Sequence, residues 1–222
     1  MGLTYPAGAI ALAVGHSREH PGAVSTIDPS MVEFPFLSDF GKLVLGADED
    51  EGGSGAFRRG LWFRRDGPTG PAIRDLAHRL NMSGCLLVVE LHFDSGAVDT
   101  DKPVGPMGCY FPHSQHGFDL ANDLARSLGR EMYPAAPGAP PPPSGKGWRL
   151  ASPRPDLELL RRTAAPAVIL ELFHGRSSRD VAWWSSPANR WRAAQTIVRT
   201  SRAYLERHWG YDPGDEADGE DR

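Results

Sequence analysis

Residues 85–93 read Cys-Leu-Leu-Val-Val-Glu-Leu-His-Phe, a run so apolar and so rich in branched side chains that it predicts a central strand buried on both faces. Alternation along it puts Leu86, Val88, Glu90 and His92 on one face, with the imidazole one residue from the strand's end. A carboxylate two positions from that imidazole is placed either to orient it or to pair with an arginine, and the sequence leaves both readings open.

The neighbouring segments alternate between the two periodicities. Pro71 stands at a favourable first-turn position, and Ile73, Leu76, Ala77 and Leu80 then recur at helical spacing, which predicts a helix over 71–82. Towards the amino terminus, Ala9 to Val14 is a short apolar run that predicts a buried strand ending at Gly15-His16. On the other side, Phe118, Ala121, Leu124, Ala125 and Leu128 mark a helix that is expected to stop at Gly129. Pro166 to Leu172 predicts a third buried strand. Ser186-Pro187 opens a long last helix whose apolar stripe includes Trp191, Ala194, Ile197, Val198, Tyr204 and Leu205. Strands alternating with helices predict an α/β domain of three layers, a mainly parallel twisted sheet with helices on both faces.

One domain over residues 1–211 is the expected organisation, since 222 residues with 40% hydrophobic content suffice for one core without disulfides. The glycine-rich stretch 46–60 is expected to be an exposed polar loop, and 134–147, with its proline run, a stiff extended one. The acidic tail 212–222 is expected to be disordered. Cys85 and Cys109 lie in strand-like sequence and are expected to be reduced thiols.

Charge and motifs narrow the function. A net charge of -4 with Lys and Arg scattered along the chain gives no basic field for a phosphate backbone, so nucleic acid is not an expected partner. No apolar run approaches the ~20 residues that span a bilayer, and no basic segment precedes the apolar residues 9–14 as in a secretory signal; a cytoplasmic start without membrane association is expected. The sequence contains no Gly-x-Ser-x-Gly elbow, no phosphate loop, no His-Glu-x-x-His and no Cys-x-x-Cys, so serine hydrolase, nucleotidase and zinc-finger readings lose support.

What remains is at the strand ends. In open α/β sheets ligands bind beyond the carboxyl ends of the strands, where His16, His92 and Glu171 would converge. Neutral imidazole and carboxylate are ligands that Zn²⁺ accepts, and a catalytic site takes three of them with one position left for water. Each histidine alone also reads as a hydrogen-bonded structural residue, and Glu171 as a strand-end carboxylate bound to backbone or arginine. His20, His113, His116 and His174 read as surface histidines, with His113 and His116 within reach of a substrate from the rim.

Four segments, in order, resemble the zinc N-acetylmuramoyl-L-alanine amidases of the amidase-3 type. Gly15-His16 followed by Pro21-Gly22-Ala23 is similar to their GHGG…PGA opening, and Val89-Glu-Leu-His-Phe-Asp-Ser95 to their strand ending in SIHAN. Gly108 to Ser114 and the helix after it resemble their G-x-x-x-Y segment, and Leu159 to Phe173 resembles their vLr-x-t-x-x-PavLvElgF run. The resemblance covers roughly residues 9–207.

It implies a zinc amidase/carboxypeptidase-like fold and a Zn²⁺ ion held by His16, Glu33 and His92, with Glu171 as catalytic base. The implied reaction is hydrolysis of the amide between N-acetylmuramic acid and L-alanine, with peptidoglycan or a muramoyl peptide as substrate. A phage-type lysin that reaches the wall after release would join that substrate to a cytoplasmic start. Glu33 lies 17 residues after His16, in VEFPFLSDFGK, where Pro35 obscures the helix that the family carries there. Ser17 and Arg18 stand in place of two glycines, Glu90 in place of a serine and Phe173 in place of a glycine, and all four are expected to line the site. These departures leave room for a smaller cytosolic N-acyl or peptide substrate, or for a wall-fragment binder without turnover.

Overall fold

A computed structural model describes residues 9–50, 56–57, 62–64, 69–96, 99–134 and 151–210. In chain order its elements are β1 (Ile10–Val14), α1 (Glu33–Asp50), β2 (Trp62–Arg64), α2 (Thr69–Met82), β3 (Leu87–Asp94), β4 (Met107–Tyr110), α3 (Gln115–Met132), β5 (Ser152–Pro153), α4 (Glu158–Arg162), β6 (Ala167–His174), α5 (Ser178–Ser185) and α6 (Pro187–Trp209). The strands form one six-stranded sheet in the order β2-β1-β3-β6-β4-β5. Every pairing is parallel except that of β4 with β6.

The alternation within β1, β3 and β6 sorts their side chains into two cores. Ile10, Leu12, Val14, Leu87, Val89, Leu91, Val168 and Leu170 pack on α1, α3, α5 and α6 through residues such as Phe40, Leu124, Trp184 and Ile197. Ala11, Ala13, Val88 and Ile169 face the other way, onto Leu76 and Leu80 of α2 and Leu159 and Leu160 of α4. Helices therefore cover both faces, which is why the three strands read as unbroken apolar runs rather than alternating ones.

Three boundaries differ from expectation. First, α1 runs to Asp50 and takes up the start of the expected loop at 46–60, while Ala56 and Phe57 are buried at 0% and 2% exposure. Asp48 explains this: it accepts from the Phe57 N–H at 2.9 Å and from Arg202 of α6 at 2.7 Å, so Phe57 is tied to the end of α1. Second, α3 does not stop at Gly129 but continues to Met132, whose side chain is buried, and ends where the Tyr133 N–H closes on the Gly129 carbonyl. Packing of Met132 overrides the local glycine signal. The left-handed glycine cap belongs instead to Gly210, at φ 61°, after α6. Third, the short strands β2, β4 and β5 extend the sheet beyond the three expected strands. The proline run at 139–144 and the tail at 212–222 lie outside the described residues.

A bulge distorts the carboxyl end of β6. His92 pairs with Glu171 but Asp94 with His174, so β6 carries one residue more than β3 between the two pairs. The extra residue lets both Leu172 and Phe173 join the core under α1 and α5. Beyond it, buried Asp180 accepts from the backbone N–H groups of Val104, Gly105 and His174 at 3.1, 2.9 and 3.0 Å, and from the hydroxyl of Tyr133. One carboxylate thus ties the end of β6 to α3 and to the loop before β4.

Candidate metal centre

His16, Glu33 and His92 come together at the carboxyl ends of β1 and β3, and one nitrogen or oxygen from each lies within 4.8 Å of the others. His16 follows β1 by two residues and adopts φ 66°, a left-handed conformation that turns its ring back over the sheet. Glu33 is the first residue of α1. Its backbone N–H donates to Ala23 O at 2.9 Å and that of Phe34 to Pro21 O at 2.8 Å, so the loop after His16 satisfies the first helical donors. Pro35, which made the helix hard to see, sits in that first turn, where it has no intrahelical donor to lose.

The Glu33 carboxylate spans the two imidazoles. Its Oε2 lies 3.2 Å from Nε2 of His16 and its Oε1 3.0 Å from Nδ1 of His92. The N–H groups of Ala23 and Phe93 donate to the same two oxygens at 2.9 and 3.2 Å. Burial pushes the Glu33 carboxyl upwards, but the contacts to His16 and His92 prevail and hold it at about 2. His92 is buried as well, and burial would lower its pKa. The charge of Glu90 and the contacts to Glu33 and Glu90, with Glu171 adding to them, lift it to about 10. Three carboxylates therefore face the His92 ring, and the pocket is built to hold positive charge there.

Glu171 stands on β6 directly across from His92 on β3, on the same face of the sheet, and its Oε2 is screened from solvent. Glu90, fully buried, puts Oε2 at 3.4 Å from Nε2 of His92, a contact that fits the ring-orienting reading. Two glycines close the cradle. A Cβ on Gly15 would stand 2.2 Å from Nε2 of His92, and one on Gly22 2.5 Å from Oε2 of Glu33, at a φ of +82° that already disfavours other residues. Nothing in the spacing marks these glycines as contacts, because the rings that they receive come from other elements.

Several expectations about neighbouring residues are corrected. Phe173 does not line the site. The bulge turns it into the core, stacked on Phe93 at 4.8 Å and Trp184 at 5.2 Å between ring centroids. Arg18 is exposed, and Ser17 is buried in a tight turn in which its hydroxyl accepts from the His20 N–H at 3.2 Å. Only Glu90 among the four departures touches a member of the triad in the contacts seen. His174 is not a surface residue: it is 8% exposed and contacts the Gly96 and Arg176 N–H groups at 3.2 and 3.3 Å. His113 and His116 border a groove of about 420 Å³ with Arg161 and Pro166, beside the amino-terminal end of β6. They stand at the opposite end of that strand from Glu171.

Two imidazoles and a carboxylate at the carboxyl ends of a parallel sheet, with a second carboxylate across from them, are the donor set of a metal-dependent hydrolase. Comparison with known proteins makes the class specific. A sequence model described as N-acetylmuramoyl-L-alanine amidase matches residues 10–200, and the chain belongs to that amidase family, a family of hydrolases. Among solved structures, the CwlD amidase of Clostridioides difficile, solved in complex with the GerS lipoprotein, superposes with a TM-score of 0.68 at 18% identity, over 89% of this chain and 98% of that one. The amidase Ami1 of Mycobacterium smegmatis gives 0.66 at 20% identity, over 91% and 99%. The catalytic domain of the CD27L endolysin, which targets Clostridia difficile, gives 0.64 at 18% identity, over 86% and 94%. These likenesses establish the fold. No curated protein matches the sequence.

Proposed function

We propose that the chain hydrolyses the amide between N-acetylmuramic acid and L-alanine in peptidoglycan, with Zn²⁺ held by His16, Glu33 and His92 and with Glu171 as general base. The observation that carries this reading is the Glu33 carboxylate set between the two imidazoles at 3.2 and 3.0 Å, with Glu171 facing His92 across the strand pair. Two nitrogens and an oxygen suit zinc, and three protein ligands leave a position for water. The carboxylates around His92 offset the charge of a divalent ion as they offset that of a proton.

The chemistry that zinc would supply there is a water whose pKa is lowered towards ~7 and a polarised scissile carbonyl. Glu171 accepts a proton from the attacking water as the water oxygen adds to the lactyl carbonyl carbon. As the C–N bond breaks, Glu171 returns the proton to the departing amine of L-alanine. Shielding of its Oε2 from bulk water favours a carboxylate that holds and releases the proton within the site.

The test is mass spectrometry of a muramoyl peptide or purified cell wall after incubation with the zinc-loaded protein. Free N-acetylmuramic acid carboxyl and a peptide with L-alanine at its amino terminus are the expected products. A zinc-loaded protein that leaves this bond intact while cleaving small N-acyl amides would transfer the reading to the smaller substrate class.

A further inference from the structure

We infer that Glu90 is a positioning residue of the metal centre: its carboxylate faces the Nε2 edge of His92, holds the ring proton on that side and so leaves Nδ1 as the atom that holds the metal. The inference rests on the zinc site proposed above and adds to it the ring atom that ligates and the residue that selects it.

The two edges of the His92 ring have different neighbours. Nδ1 lies 3.0 Å from Oε1 of Glu33, whose other oxygen is 3.2 Å from His16, so this edge faces the triad. Nε2 lies 3.4 Å from Oε2 of Glu90, which sits two residues earlier on β3 between fully buried Val89 and Leu91. Gly15 lies against the ring so closely that a Cβ would come within 2.2 Å of Nε2 and 2.6 Å of Nδ1, so the ring packs directly on the glycine backbone. The ring thus stands with Nδ1 to the triad and Nε2 to a carboxylate.

A neutral imidazole carries its proton on one nitrogen and a lone pair on the other. A carboxylate accepting at Nε2 fixes the proton there and frees the lone pair at Nδ1. It also makes the ring a stronger donor to a metal, and removal of such a partner commonly lowers metal affinity 10- to 100-fold.

The experiment uses the full chain with ¹⁵N-labelled histidine. In long-range ¹H–¹⁵N spectra of the zinc-loaded protein, His92 is expected to show a protonated Nε2 and a metal-bound Nδ1. In competition against a fluorescent zinc chelator, Glu90→Ala is expected to lose about 10- to 100-fold in zinc affinity. Glu90→Gln keeps the side-chain volume and one acceptor oxygen but not the charge, and is expected to lose less and to retain the same ring tautomer. Metal at Nε2 in the wild-type spectrum, or wild-type zinc affinity in both variants, overturns the role of Glu90 alone. A wild-type chain that takes up no zinc overturns the metal centre itself and this inference with it.

Discussion

The ring of His92 rests on Gly15 with no room for a Cβ between them: one built there would stand 2.2 Å from both Cε1 and Nε2. Gly15→Ala therefore has to displace the imidazole or shift β1 against β3. The expected result is a folded protein, destabilised by about 1–3 kcal/mol as for other overpacked sites, with clearly weakened zinc binding. Zinc titration of the variant beside its urea unfolding curve separates the two effects. Wild-type zinc affinity in this variant would show that the ring does not need its place against Gly15.

Glu171 and the triad should separate by mutation. Glu171→Gln keeps the shape of the site and removes the base, so zinc content is expected to stay near one per chain. Amide release from a muramoyl peptide should fall by about 10²- to 10⁴-fold. Turnover within a few-fold of wild type would remove Glu171 from the mechanism.

The pKa shifts set a pH profile for the metal-free protein. Glu33 is lowered from 4.5 to about 2, so its stabilising contribution is in place above 4.5 and is lost as the pH falls through 2. His92 is raised from 6.5 to about 10, so its contribution is in place below 6.5 and is lost as the pH rises through 10. Urea midpoints of EDTA-treated protein are expected to fall between pH 6.5 and 10. Zinc needs the neutral ring, so the loaded protein should not follow that fall, and zinc uptake near pH 8 should release protons. An EDTA-treated protein with the same midpoint at both ends of that range would contradict the charge arrangement around His92.

Asp180 is the knot behind the site, and Asp180→Ala strands several buried donors at once, among them Val104 N, Gly105 N and His174 N. A loss of about 3 kcal/mol or more in unfolding free energy is expected. A cost below about 1 kcal/mol, read from the same urea curves, would mean that these donors find water instead.

The central strands were legible because burial on both faces leaves an unbroken apolar signature, and β1, β3 and β6 carry it. With those strands came the ends at which His16, His92 and Glu171 stand. Glu33 was reached through spacing and resemblance alone, since the backbone that caps its helix comes from Pro21 and Ala23 rather than from a side-chain signal. Phe173 leaves the site where the resemblance puts it because of a bulge, and a bulge depends on pairing with a partner strand. The burial of Phe57 was missed for a similar reason: Asp48 and Arg202, which hold it, are 154 residues apart. His174 reads as a surface residue because one of the groups that enclose it, the Gly96 N–H, lies 78 residues away.

The most direct measurement is the anomalous scattering at the zinc absorption edge from crystals of the zinc-loaded chain. One peak is expected, about 2.0–2.2 Å from Nε2 of His16, a carboxylate oxygen of Glu33 and Nδ1 of His92, with Glu171 facing it but outside bonding distance. A peak ligated by other residues, or none at this triad in protein that cleaves the muramoyl amide, would contradict the assignment.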